Sequence, residues 1–225
     1  MKRINLASPV SGDVEYYEFL NRDFRGKKVP DIGGGGGSLE KSKRFAVARK
    51  KLQQADSLVA ADLNIHERID LVTDAQVLPF RDGCFDVVIA NNLFEHLRDP
   101  KAAVAEFRRA MAPSGLLLLT TPFLYPVYEA PNDYRRTTRI GLEMLFNDFE
   151  SVVIKERGRV FSISVGYVWM MFRPVRIGIV LEMLAYPILR LFSRLDRFDS
   201  SAAFALILYG EAARQSDFRR AGVAY

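Results

Sequence analysis

The stretch "VPDIGGGGGSLEKSKRF", Val29 to Phe45, places five consecutive glycines and a serine between an apolar run and a charged pattern. Upstream, "KKVPDI" (27 to 32) reads as a short strand; downstream, "SLEKSKRFAVARKKLQQ" (38 to 54) carries apolar residues at helical spacing. A Gly-Ser linker joins independent bodies and does not normally sit between a buried strand and the helix that covers it. A tight turn at that place needs positive φ and no Cβ, so that a ligand can approach main-chain amides. The stretch therefore predicts the first strand-turn-helix unit of a parallel sheet.

The rest of the chain repeats the alternation. "SLVAADL" (57 to 63), "IDLVTD" (69 to 74), "FDVVIAN" (85 to 91) and "GLLLLTTP" (115 to 122) are nearly continuous apolar runs, as strands covered on both faces require. "DPKAAVAEFRRAMAP" (99 to 113) reads as a helix with Ala103, Val104, Phe107 and Met111 on one face, Asp99 as its cap and Pro100 in its first turn. This order predicts an α/β fold, Rossmann-like and doubly wound. Its sheet is mostly parallel, with an antiparallel last strand and a helical insertion before it. Ligands of such sheets bind at the carboxyl ends of the strands. The expected organisation is an N-terminal segment (1–26), a cofactor-binding core (27–156), an apolar, Arg-rich helical insertion (157–198), and the final strand and tail (199–225).

Composition narrows the setting. With 225 residues and 49% hydrophobic content the chain builds one core with insertions. Its one cysteine, Cys84, rules out a disulfide framework and a multi-cysteine metal site. The N-terminus has no apolar run behind its basic residues, so a cytoplasmic protein is expected. No metal and no nucleic-acid partner are predicted; His66 stands in a polar connector without ligand spacing around it.

A dinucleotide fingerprint needs glycines at i, i+2 and i+5, and neither frame of the glycine run supplies the third. The frame that fits is Asp-x-Gly-x-Gly-x-Gly, filled by Asp31, Gly33, Gly35 and Gly37. Here the chain resembles the class I S-adenosylmethionine-dependent methyltransferases, in particular the methyltransferase type 11 family, over residues 27 to 155. The resemblance implies that this loop wraps the methionine end of S-adenosylmethionine, with Asp31 near its ammonium group. It implies that Asp62 receives the ribose hydroxyls, that Asp74 and the Ala75 amide face the adenine, and that Asn91 lies where the fourth strand passes the cofactor.

After the fifth strand, "FLYPVYEAPNDYRRTTR" crowds Tyr125, Tyr128, Glu129, Asn132, Asp133, Tyr134, Arg135 and Arg136 into a Pro-punctuated loop at the mouth of the site. Such residues are placed to position an acceptor. The run resembles type 11 relatives associated with cell-surface polysaccharide pathways, many of which carry His where this chain has Tyr128. Asp133 is the first candidate for a general base and Tyr134 for an orienting group, against a plain surface loop in which Asp133 pairs with Arg135. His96, in "FEHL", is expected to serve packing or hydrogen bonding.

The function expected is methyl transfer, to oxygen of a sugar, a lipid-linked or another small acceptor. A non-catalytic methyltransferase-like binding protein is the alternative, and a nicotinamide-dependent oxidoreductase is disfavoured by the missing glycine. The segment from Arg157 to Arg197 holds seven arginines, no lysine and two acidic residues, which equals the +5 net charge of the chain. At helical period Ile177, Leu181, Leu184, Ile188, Leu191 and Leu195 share one face. Arg173, Pro174 and Arg176 interrupt any membrane-spanning run. A cap on the sheet or on a second subunit, or contact with the inner face of an anionic membrane, are the expected uses of this insertion.

Overall fold

The computed structural model describes residues 22–34, 50–65, 69–157 and 205–212, with Ser164, Tyr167 and Leu191 as single positions. Seven strands are found there: β1 (Lys28–Ile32), β2 (Ser57–Asp62), β3 (Leu71–Val72), β4 (Phe85–Asn91), β5 (Met111–Pro122), β6 (Ser151–Arg157) and β7 (Ala205–Glu211). They form one sheet in the order β3-β2-β1-β4-β5-β7-β6. β1 through β5 pair in parallel, whereas β7 lies antiparallel between β5 and β6. The α/β, Rossmann-like expectation holds. Strand order reverses between β1 and β4, so the crevice where this fold takes its ligands opens at the carboxyl ends of those two strands.

Both sheet faces are covered, which explains the unbroken apolar runs. Val88, Ala90, Leu117, Leu119, Leu206 and Leu208 pack on one side with Phe107 and Leu142. Their neighbours in sequence, Val87, Ile89, Leu118 and Ile207, pack on the other with Phe24, Val29 and Leu52. Residues 50–52 are helical, and the earlier part of the predicted helix over 38–54 lies outside the described residues.

Proline in β1 causes no bulge, since the β1/β2 register runs unbroken from Lys28↔Ser57 to Ile32↔Ala61. The Lys28 N–H donates to Asp86 Oδ2 at 2.8 Å on the β4 side. Alternation puts the Pro30 nitrogen on that same side, where the ladder to β4 begins only at Asp31. No partner is lost.

Three boundaries differ from the sequence reading. β3 pairs over two residues, because Asp70 substitutes its side chain for a ladder acceptor: the Ala60 N–H donates to Asp70 Oδ2 at 2.8 Å. Helix α1 (Pro100–Ala110) stops before Met111, which pairs with Phe85 and starts β5 early. The irregular start of β5 sets Ser114 at φ 59°, and Gly115 has no room for a Cβ, which would lie 2.8 Å from the Ala112 carbonyl oxygen. The start of α1 is as predicted, with Asp99 accepting from the Lys101 and Ala102 amides. Arg109 ties α1 to the loop beneath it, bonding Glu106, Asp82 and the carbonyls of Leu78 and Phe80. A second helix, α2 (Arg139–Leu145), begins at the Thr138 cap and buries Leu142.

No helix among the described residues is long and apolar enough to cross a membrane. The predicted insertion (157–198) lies outside the described residues except for Arg157 in β6 and the three single positions, all helical and exposed.

Candidate active site

The turn after β1 is built for close approach. Gly33 has φ +79°, and a Cβ there would stand 3.0 Å from Leu93 Cδ1. A Cβ on Gly34 would stand 2.9 Å from the Asp31 carboxyl carbon. Both amides point back to Ala61, Gly33 N at 2.7 Å and Gly34 N at 3.3 Å from its carbonyl oxygen. The chain thus reverses tightly with Asp31 folded over it. Gly35 and Gly37 lie outside the described residues.

Asp62 ends β2 half-buried, and one of its oxygens accepts from the Asn64 amide at 2.9 Å. Past β3, Asp74 caps a turn: Gln76 donates to it through both its backbone and its side-chain nitrogen. Gln76 Oε1 in turn accepts from the Asp99 amide at 2.6 Å, which joins this turn to the start of α1. Ala75 is buried within it. At the end of β4 the Asn91 side chain accepts from the Thr120 hydroxyl, and Asn92 follows with φ 47°. Asp31, Asp62, Asp74, Ala75 and Asn91 therefore all stand at the carboxyl edge of the sheet, around its switch point.

The loops after β4 and β5 are locked together beside this edge. Glu95, in the 3-10 turn Phe94–His96, is fully buried. Its carboxyl accepts from the Tyr128 hydroxyl, and its backbone carbonyl accepts from the Tyr134 amide at 2.8 Å. Burial pushes the Glu95 carboxyl above the usual carboxylate range. Tyr128 is raised as well, by burial first and then by the Glu95 charge. His96 Nδ1 lies 2.8 Å from the Asn132 carbonyl oxygen, and its ring meets Tyr128 edge-on.

Asp133 has no exposed side-chain surface, but it does not pair with Arg135. It receives both terminal nitrogens of Arg136, and the Tyr128 amide donates to it at 2.9 Å. The Arg136 hydrogen bonds hold its carboxyl below the usual range. Arg135 instead donates to the Arg98 carbonyl at 2.8 Å. Tyr134 is 41% exposed; its hydroxyl donates to Asn132 Oδ1 and accepts from Arg98 Nε. Sequence reasoning did not single out Glu95, Leu93, Gln76 or Thr120. Only the Glu-His pair inside an apolar "LFEHL" could have flagged the first of them.

This sheet order, with a glycine turn after β1 and a carboxylate closing β2, is the fold of class I S-adenosylmethionine-dependent methyltransferases. Residues 31–119 match the family described as "Methyltransferase domain", the type 11 methyltransferases, whose cofactor is S-adenosylmethionine. Over 104 residues the chain is 33% identical to a chloroplastic tocopherol O-methyltransferase of Arabidopsis thaliana, covering 42% of this chain and 30% of that protein. Over 105 residues it is 35% identical to a ubiquinone/menaquinone biosynthesis C-methyltransferase of Paraburkholderia phymatum, covering 42% of each. The chain thus spans less than half the length of these relatives. Among solved structures it resembles phosphoethanolamine N-methyltransferase 2 of Haemonchus contortus in complex with S-adenosyl-L-methionine, at TM-score 0.59 and 15% identity, covering 90% of this chain and 52% of that one.

Proposed function

We propose that the protein transfers the methyl group of S-adenosylmethionine to a hydroxyl oxygen of a sugar, lipid-linked or other small acceptor. The observation that carries this reading is the edge where Asp31, Asp62 and Asn91 stand at the carboxyl ends of three adjacent strands, beside a tight turn through Gly33, whose φ is +79°. The residues fit the group: two carboxylate oxygens suit a ribose diol, and a chain reversal without side chains suits a cofactor lying on the backbone. When bound, the sulfonium supplies an already activated methyl group, so the protein's share is to hold the acceptor in line and receive its proton.

The acceptor atom is a finer matter, since the three proteins above act on oxygen, carbon and nitrogen by their names. Oxygen is favoured by the buried, hydrogen-bonded loop pair around Glu95, His96 and Tyr128, which can take up a hydroxyl proton. Incubation with a carbon-13 methyl donor and a panel of hydroxyl, amine and activated-carbon acceptors tests this. Labelled methyl ethers are the expected product; label found only on nitrogen or carbon contradicts the oxygen assignment.

A further inference from the structure

His96 stands five residues beyond the end of β4, on the loop that follows the switch-point strand. Its Nδ1 faces the Asn132 carbonyl oxygen at 2.8 Å. A carbonyl only accepts, so Nδ1 must be the nitrogen that carries hydrogen in the neutral ring, and Nε2 keeps its lone pair. Nε2 lies 3.9 Å from Glu95 Oε1 and 3.8 Å from Glu129 Oε2, beyond hydrogen-bond reach of either. The side chain is 18% exposed, so the ring is not sealed in the core.

We propose that His96 is the catalytic base, an assignment that rests on the methyltransferase reading above. The acceptor O–H bond breaks and its proton goes to Nε2. The oxygen pair so released forms the new bond to the methyl carbon, and the electrons of the carbon–sulfur bond stay on sulfur, leaving a neutral thioether. The imidazolium is then held by three anionic or acceptor groups on two loops: Glu95 from its own turn, and Glu129 and the Asn132 carbonyl from the loop after β5. The other charged groups nearby are Asp133 and Arg136, which are paired with each other. This is the division of labour of a histidine oriented through one nitrogen and basic at the other. Asp133, ion-paired and buried, then serves to position the loop rather than to take the proton.

The test needs a variant that keeps the tether and removes the base. His96→Asn sets an amide N–H near the place of Nδ1–H and has nothing at Nε2. Long-range proton–nitrogen spectra of the full chain, which has two histidines, read the tautomer directly. The Nδ1–H form is expected for His96, and an Nε2–H form overturns the assignment. Methyl transfer to catechol, whose hydroxyls stay protonated near neutral pH, is then compared between wild type and variant. His96→Asn should lower kcat by at least about a hundredfold, the usual share of a general base. Calorimetric affinity for the methyl donor should stay unchanged. Wild-type turnover in His96→Asn means that the histidine only tethers the loop, and the proposal fails. A wild-type protein that shows no heat with the donor points instead to failure of the methyltransferase reading.

Discussion

Among single residues, the two buried carboxyl groups of the loops after β4 and β5 respond to pH in opposite senses. Asp133 is held low by Arg136, so its contribution to loop stability is present above the ordinary carboxylate range and is lost as pH falls through its folded-state value. Glu95 is raised by burial, so its ionisation opposes folding as pH rises above its unfolded value. Glu95→Gln keeps an acceptor for the Tyr128 hydroxyl and removes the charge. It should therefore raise the melting temperature at about pH 8 and leave it nearly unchanged at about pH 4. Equal effects at both pH values would show that Glu95 carries no burial penalty. Asp133→Ala removes the acceptor of the Tyr128 amide, and loss of hydrogen bonds to a charged group is worth about 1.5 to 3 kcal/mol. Hydrogen exchange at that amide, compared between variant and wild type at one pH above the ordinary carboxylate range, should quicken accordingly. Sequence alone marked Asp133 as reactive because it stands in a polar, aromatic loop. The pairing with Arg136 rather than Arg135 could not be read, because it depends on how the loop folds over Tyr128.

Among elements, the glycine turn was legible because its demands are local. Positive φ and close packing leave glycine as the residue that fits, whatever the rest of the chain does. Gly33 and Gly26 allow the two demands to be separated: both have positive φ, but a Cβ at Gly26 meets nothing within 4 Å, whereas at Gly33 it meets Leu93 at 3.0 Å. Gly26→Ala should cost about 1 to 2 kcal/mol for the left-handed backbone, and Gly33→Ala more than that, by chemical denaturation. Equal costs would mean that Leu93 yields freely. The Asp99 cap was legible for the same reason, since cap, Pro100 and helical spacing all lie within one turn, and Asp99→Ala should cost about 1 kcal/mol. Boundaries set by distant partners were not legible. The early start of β5 depends on Phe85 pairing with Met111, and the shortness of β3 depends on Asp70 reaching Ala60.

For the whole molecule, the sheet order explains why four short motifs spread over residues 31 to 91 come together at one edge. Parallel strands joined by right-handed crossovers bring every carboxyl end to the same edge, so the residues that close β1, β2 and β4 meet around the switch point without touching in sequence. The sequence carried this much because the central strands β4 and β5 are largely buried on both faces and declare themselves by unbroken apolar runs. It carried less about the loops after β4 and β5, which are held by irregular contacts of Glu95, His96, Tyr128 and Asp133 that follow no period. On the proposed reading, this edge binds S-adenosylmethionine through the carboxylate that ends β2. Calorimetric titration of the wild type and of Asp62→Ala with S-adenosylmethionine tests it most directly. Saturable one-site binding by the wild type, weakened by about 1.5 to 3 kcal/mol in an Asp62→Ala protein of unchanged fold, is the predicted result. Equal affinity in the two proteins, or no binding in either, would contradict it.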